Sequence, residues 1–201
     1  LMMLLSASPV AFFQRFGVNP AQIVHAFQSS KVFQPVYWTL LTSLFTHGGW
    51  WHLLSNMLFL WIFGDNVEDR MGRGLFFLFY LLCGVSASIV QILLNPGSNE
   101  VMIGASGAIS GVMGAYLVLF PKASVTTLVL ILFFPIILNI PAIVFMVIWF
   151  VTQVVNMMIG TAGVGWGAHL GGFLVGFLLG WLFIPIHKPP SARIIDESYF
   201  R

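Results

Sequence analysis

Residues 75–94 read LFFLFYLLCGVSASIVQILL, a run without one charged side chain. A helix of about 20 residues rises about 30 Å, the thickness of a bilayer's hydrocarbon core. The stretch therefore reads as a membrane span, and the rest of the chain is judged against lipid. Of 201 residues, 59% are hydrophobic and 7% charged, against about 45–50% and about 25% in soluble domains. That balance excludes a soluble globular enzyme. The net charge is +2 and the basic residues are scattered, so no phosphate-tracking patch exists and no nucleic-acid partner is expected. The single cysteine, Cys83, lies inside the apolar run; it excludes a disulfide framework and reads as a small buried hydrophobe.

Outward from this run, residues 51–64 predict span two, and the charged stretch Asp65 to Arg73 predicts a solvated turn before span three at 75–94. Asn95-Pro96-Gly97 ends that span. Residues 106–120, 142–158 and 166–186 predict spans four, five and six, and 187–201 a polar tail outside the membrane. The chain opens at Leu1; residues 1–13, too short to cross and without the basic flank of a signal peptide, read as the remnant of a truncated span one. Residues 14–50, with Arg15, Lys31, Pro35, Trp38 and Trp50, predict an interfacial loop. Residues 125–138 are apolar but short and contain Pro135; they predict an interfacial or re-entrant piece. The expected fold is all-α, a polytopic membrane protein with one six-span bundle. Arg70, Arg73, Lys122, Lys188, Arg193 and Arg201 then share one side, against Arg15 and Lys31 on the other. The positive-inside rule makes the richer side cytoplasmic, provided 125–138 does not span.

Polar side chains in a bilayer are costly and point to function. His52 and Asn56 are four residues apart on span two, hence on one face. Span four opens with Gly104-Ala105-Ser106-Gly107 and span six with Gly167-Ala168-His169. All lie at the extracytoplasmic end. Below them Ser106, Ser110 and Gly114 recur at intervals of four with Gly107 and Gly111 alongside, and His169 is followed by Gly172, Gly176 and Gly180. Facing small-residue stripes let helices approach closely, which would set Ser106 beside His169. A serine and an imidazole in contact are the nucleophile and general base of acyl transfer. Ser106 begins a helix, where free N–H groups favour negative charge, and His52 and Asn56 add donors for an oxyanion. Gly104 and Gly107 permit close approach of a substrate carbonyl.

Each piece has a plain alternative: a small-residue run as helix packing, a membrane His or Asn as glue between helices. Their gathering at one end of three helices favours a site. His47, His52 and His169 form a conceivable three-imidazole zinc set, but no intramembrane carboxylate and no His-Glu-x-x-His accompany them. No metal or cofactor is expected. Glu100, the one extracytoplasmic carboxylate, is a candidate third triad member but reads as a solvated loop charge, which leaves a dyad. Glu68-Asp69-Arg70 with Gly72 reads as a lock on the turn between spans two and three, and His25 and His187 as interface residues.

These residues, in this order, resemble the rhomboid family of intramembrane serine proteases, in its bacterial type. His47-Gly48-Gly49-Trp50-Trp51-His52 through Asn56 is similar to the family's histidine and asparagine segment, and Gly64 through Glu68 to Gly72 to the turn that follows. Gly104-Ala105-Ser106-Gly107 is similar to its nucleophile motif, and Ala168-His169 with Gly172 and Gly176 to its base motif. The resemblance implies Ser106 as nucleophile, His169 as base, and an oxyanion hole of His52, Asn56 and the Ser106 N–H. Two departures stand out. Ser110 occupies the place of a tyrosine that stacks under the base in many members, and Trp38-Thr39 replaces the Trp-Arg of some.

The expected function is cleavage of transmembrane segments in other membrane proteins, through an acyl-enzyme, near the extracytoplasmic face of a cell membrane. Water must then reach Ser106 through a polar cavity flanked by residues 14–49. The resemblance further implies substrates with a small residue at the cut and a helix-destabilising sequence below it. A non-catalytic relative that binds membrane helices would share fold and stripes. A transporter would place polar groups through the membrane depth, in two inverted halves; neither feature is visible.

Overall fold

The computed structural model describes residues 8–29, 33–131, 134–160 and 163–184. Residues 1–7 of the expected span remnant, Lys31, His187 and the rest of the expected polar tail lie outside these. Two short helices come first, α1 (Pro9–Phe16) and α2 (Pro20–Gln28), each opened by a proline and a side-chain cap. Ser8 accepts from the Ala11 N–H at 3.3 Å and Asn19 from the Gln22 N–H at 3.0 Å, filling donors that a helix start leaves free. The cap sets α1 across the boundary expected at residue 13, so no break falls there.

Two 3₁₀ turns, Pro35–Trp38 and Ser43–Phe45, flank the single-turn α3 (Thr39–Thr42). Together these elements are stapled to the chain just ahead of Ser106. Val18 and Met102 exchange backbone hydrogen bonds of 2.9 and 2.8 Å, and the Gly104 N–H donates to Ser43 O at 2.9 Å. Thr42 Oγ1 donates to Phe16 O at 2.7 Å.

The bundle itself is α4 (Trp50–Met71), α5 (Arg73–Leu94), α6 (Ser106–Leu119), α7 (Ala142–Ile159) and α8 (Trp166–Gly180), which ends in a 3₁₀ turn. It is a helical membrane bundle: α5, α7 and the segment Trp166–Phe183 are each long and apolar enough to cross a bilayer. The charged stretch expected as a turn is helical through Met71. Asp, Glu and Arg do not break helices; Gly72 does, with a φ of 80°, and the Glu68–Arg73 ion pair of 3.5 Å brackets that break from the surface.

α6 is the core, buried without interruption from Gly107 to Tyr116. At 14 residues it rises only about 21 Å, less than the thickness of a bilayer's hydrocarbon core. Against α8 the two backbones touch: a Cβ on Gly172 would strike Gly107 O, one on Gly176 would strike Gly111 O, and one on Gly114 would strike Phe173 O. The α6 stripe in contact is thus Gly107, Gly111 and Gly114, whereas Ser110 turns back to bond Ser106 O at 2.7 Å. On the other flank Ala87 and Cys83 of α5 fit against Gly107 and Gly111. Lipid offers no hydrophobic drive for helix association, so this van der Waals fit is what holds the bundle together.

The stretch expected as an interfacial or re-entrant piece lies within 124–141, whose described residues are extended rather than helical. They make an antiparallel hairpin of β1 (Ser124–Ile131) and β2 (Phe134–Pro141), in register from Ser124↔Pro141 to Ile131↔Phe134. β-Branched residues and Pro135 disfavour helix and suit an edge strand. The Ala142 N–H donates to Ala123 O at 2.8 Å, so the chain leaves and returns at one point. α7 then packs at the rim, with only Ala142, Met146 and Gln153 buried.

Candidate active site

Ser106 is the first residue of α6, so its N–H and those that follow have no partner within the helix. Gly104, at a φ of 115°, turns the chain into that start; a Cβ there would lie 2.7 Å from His52 Nε2 and 3.8 Å from Ser106 Oγ. His169 stands in the first turn of α8, three residues before Gly172, where that helix meets α6. Its Nε2 lies 2.8 Å from Ser106 Oγ. The backbone contact of Gly172 with Gly107 brings these first turns together, and Gln91 of α5 accepts the Ala168 N–H at 3.0 Å, holding the residue before the imidazole.

His52 and Asn56 reach the same space from the first turns of α4. The Gly48 N–H donates to His52 Nδ1 at 3.2 Å, which puts the ring proton on Nε2, the nitrogen that faces Gly104 and Ser106. Asn56 Nδ2 donates to His52 O at 2.6 Å and keeps its second N–H, while its buried Oδ1 has no partner. His47 meets His52 edge to face at 5.3 Å. Burial and the neighbouring His52 hold the His47 imidazole below the ordinary histidine range.

A cavity of about 740 Å³ joins these groups, lined by Ser106, His169, His52, Asn56, Gly104 and Gly107, with Ser88, Gln91, Ser98 and Glu100 adding polar walls. A second, smaller cavity of about 150 Å³ touches Ser106 and His169 from between α4, α6 and α7, beside Phe59, Met113 and Trp149. Ser106 and His169 thus stand between a larger cavity with polar walls and a smaller, apolar niche.

Three neighbours of His169, namely Gln153, Trp149 and Trp166, carry no role in the sequence analysis. Glu100 is exposed at the cavity rim, and the Nδ1 of His169 instead lies 2.8 Å from Oε1 of Gln153 on α7. Where the resemblance led us to look for a tyrosine, Ser110 leaves room and Trp149 of α7 takes the ring's flank, 6.2 Å away and inclined 34°, with Trp166 edge-on at 5.9 Å. A signal for Gln153 existed, though not a unique one: it stands with Thr152 and Asn156 as the polar side chains of an 18-residue helix that is otherwise apolar.

The chain is similar to known proteins. The model of the Rhomboid domain matches residues 34–186. Rhomboid-like protein 11, chloroplastic, of Arabidopsis thaliana is 40% identical over 100 residues, covering 50% of this chain and 33% of that protein. Rhomboid protease GluP of Bacillus subtilis is 41% identical over 90 residues, 45% of this chain and 17% of that protein. Rhomboid protein 1, mitochondrial, of Saccharomyces cerevisiae is 33% identical over 91 residues, 43% of this chain and 26% of that protein. The chain thus matches a third or less of the length of these relatives.

Proposed function

The chain belongs to the rhomboid family, and from that premise we propose that it is an intramembrane serine endopeptidase acting on transmembrane segments of other membrane proteins. It is an integral, multi-pass membrane protein. The proposal rests above all on the 2.8 Å approach of His169 Nε2 to Ser106 Oγ at a helix N-terminus inside a polar cavity.

In the reaction, Ser106 Oγ attacks the scissile carbonyl carbon as its proton passes to His169 Nε2. The carbonyl oxygen becomes an oxyanion, met by the Ser106 N–H, His52 Nε2–H and the free Asn56 N–H. Collapse breaks the C–N bond, and His169 gives its proton to the departing amine. A water from the polar cavity then attacks the acyl-enzyme, losing a proton to His169; release of Ser106 with that proton leaves a new carboxylic acid. No cofactor enters these steps.

The substrate segment would lie along the niche between α4 and α7, with a small residue at the cut and a helix-destabilising sequence below it. Arg70, Arg73 and Lys122 lie at the end opposite the site, which supports an active site opening on the extracytoplasmic face of a cell membrane. The hairpin, by returning the chain to its point of departure, keeps that count of sides. Cleavage of this kind suits regulated release of membrane-anchored proteins.

A fluorophosphonate serine-hydrolase probe tests the proposal on detergent-solubilised protein. Labelling of the wild type, lost in folded Ser106→Ala and His169→Ala, is the expected result. A folded wild type that takes no label overturns it in favour of a non-catalytic membrane-helix binder.

A further inference from the structure

We propose that Gln153 is the positioning residue of the base, fixing the His169 imidazole in the tautomer that can take the Ser106 proton. The proposal builds on the serine-endopeptidase reading but concerns a distinct bond. Gln153 is 6% exposed, and its Oε1 lies 2.8 Å from His169 Nδ1. An amide oxygen only accepts and an amide nitrogen only donates, so which end faces the ring decides where the ring proton sits.

The surroundings make that choice. Gln153 Nε2 donates to Trp149 O at 3.0 Å and to Thr152 Oγ1 at 3.2 Å. Thr152 has committed its own proton to Trp149 O at 2.6 Å. Both neighbours of that end of the amide are therefore acceptors. A flipped amide would set its oxygen against two lone-pair partners and lose both hydrogen bonds, each worth about 1 kcal/mol net and more when buried polar atoms are left unpaired. The oxygen end must face His169, so Nδ1 carries the proton and donates it to Oε1. Nε2 is then the bare nitrogen, the one 2.8 Å from Ser106 Oγ.

A neutral amide also suits the depth at which it lies. A carboxylate in this place would orient the ring equally well but bring an ionised group into a largely apolar helix, which a bilayer penalises. Gln153 does the orienting without a buried charge.

Nitrogen-15 NMR of imidazole-labelled protein in detergent reads the tautomer directly, with the His169 signal identified by its loss in His169→Ala. The expected wild type shows a protonated Nδ1 and a bare Nε2; Gln153→Leu, of similar size without an acceptor, shows a mixture. Fluorophosphonate labelling of Ser106 should slow about tenfold to a hundredfold in Gln153→Leu, as for a misplaced catalytic group, and persist in Gln153→Glu, which keeps an acceptor oxygen. A proton on Nε2 in the wild type overturns the proposal even where the leucine variant fails to fold. So does a folded Gln153→Leu that keeps both the tautomer and the labelling rate. If the tautomer behaves as expected but no variant is labelled, the role of Gln153 stands and the endopeptidase reading fails.

Discussion

Gly176 of α8 lies so near Gly111 of α6 that a methyl group on the first would occupy the carbonyl oxygen of the second. Ser106 and His169 sit at the top of this same seam, so their approach is inherited from backbone contact rather than from side chains that can rearrange. Gly176→Ala should force the helices apart, destabilising the protein by at least the 1–3 kcal/mol typical of overpacking, and depress labelling of Ser106 as well. Gly74, beside which a Cβ meets nothing within 4 Å, is the control: Gly74→Ala should melt at or above the wild-type temperature with labelling unchanged. Thermal melts in detergent and probe kinetics on the same samples make the comparison.

Gly104 carries a different burden. Its φ of 115° is rarely open to other residues, and its missing side chain leaves the room that His52 fills. Gly104→Ala combines backbone strain of about 1–2 kcal/mol with displacement of an oxyanion donor. Labelling should therefore fall far more than the melting temperature does; a variant that loses stability alone would remove Gly104 from the site.

The donors themselves can be separated from the fold. Asn56→Ala and His52→Ala should each slow peptide cleavage by about 10²–10³-fold, the usual loss for one oxyanion donor. Each should leave the Ser106–His169 contact in place. Rates on a transmembrane substrate peptide, measured at saturating concentration, show whether the chemical step or substrate binding has changed.

The imidazole of His169 is flanked from α7 by Trp149 and Gln153, and two substitutions weigh what that flank contributes. Trp149→Leu removes the ring lying 6.2 Å from His169 and should lower the labelling rate. Ser110→Ala removes a hydroxyl bonded only to its own helix at Ser106 O and should leave the rate near that of the wild type. The reverse ranking would return the supporting role to α6.

The sequence was most readable where one physical signal had one cause. Chargeless length marked α5, and the run of small residues after Ser106 and His169 marked the α6–α8 seam, because close helix approach tolerates little else. It was less readable where two structures share a signal. Residues 125–138 are a short apolar run, which strand and helix fit alike, and only the pairing of Ser124 with Pro141 at its base decides. The charges from Asp65 to Arg73 mark exposure, which a helix projecting from the membrane satisfies as well as a turn. Gln153 shares α7 with Thr152 and Asn156 and, unlike Asn56, belongs to no motif of spacing, so its purpose is legible only once its partner is known.

The sparse seating of α7 gives the site an interlock. This helix buries little besides Ala142, Met146 and Gln153, is tethered at one end by the closed base of the hairpin, and carries both Trp149 and the acceptor for His169. Moving it aside would part Gln153 from His169 in the same stroke, so on the proposed function a displaced α7 and an oriented base exclude each other.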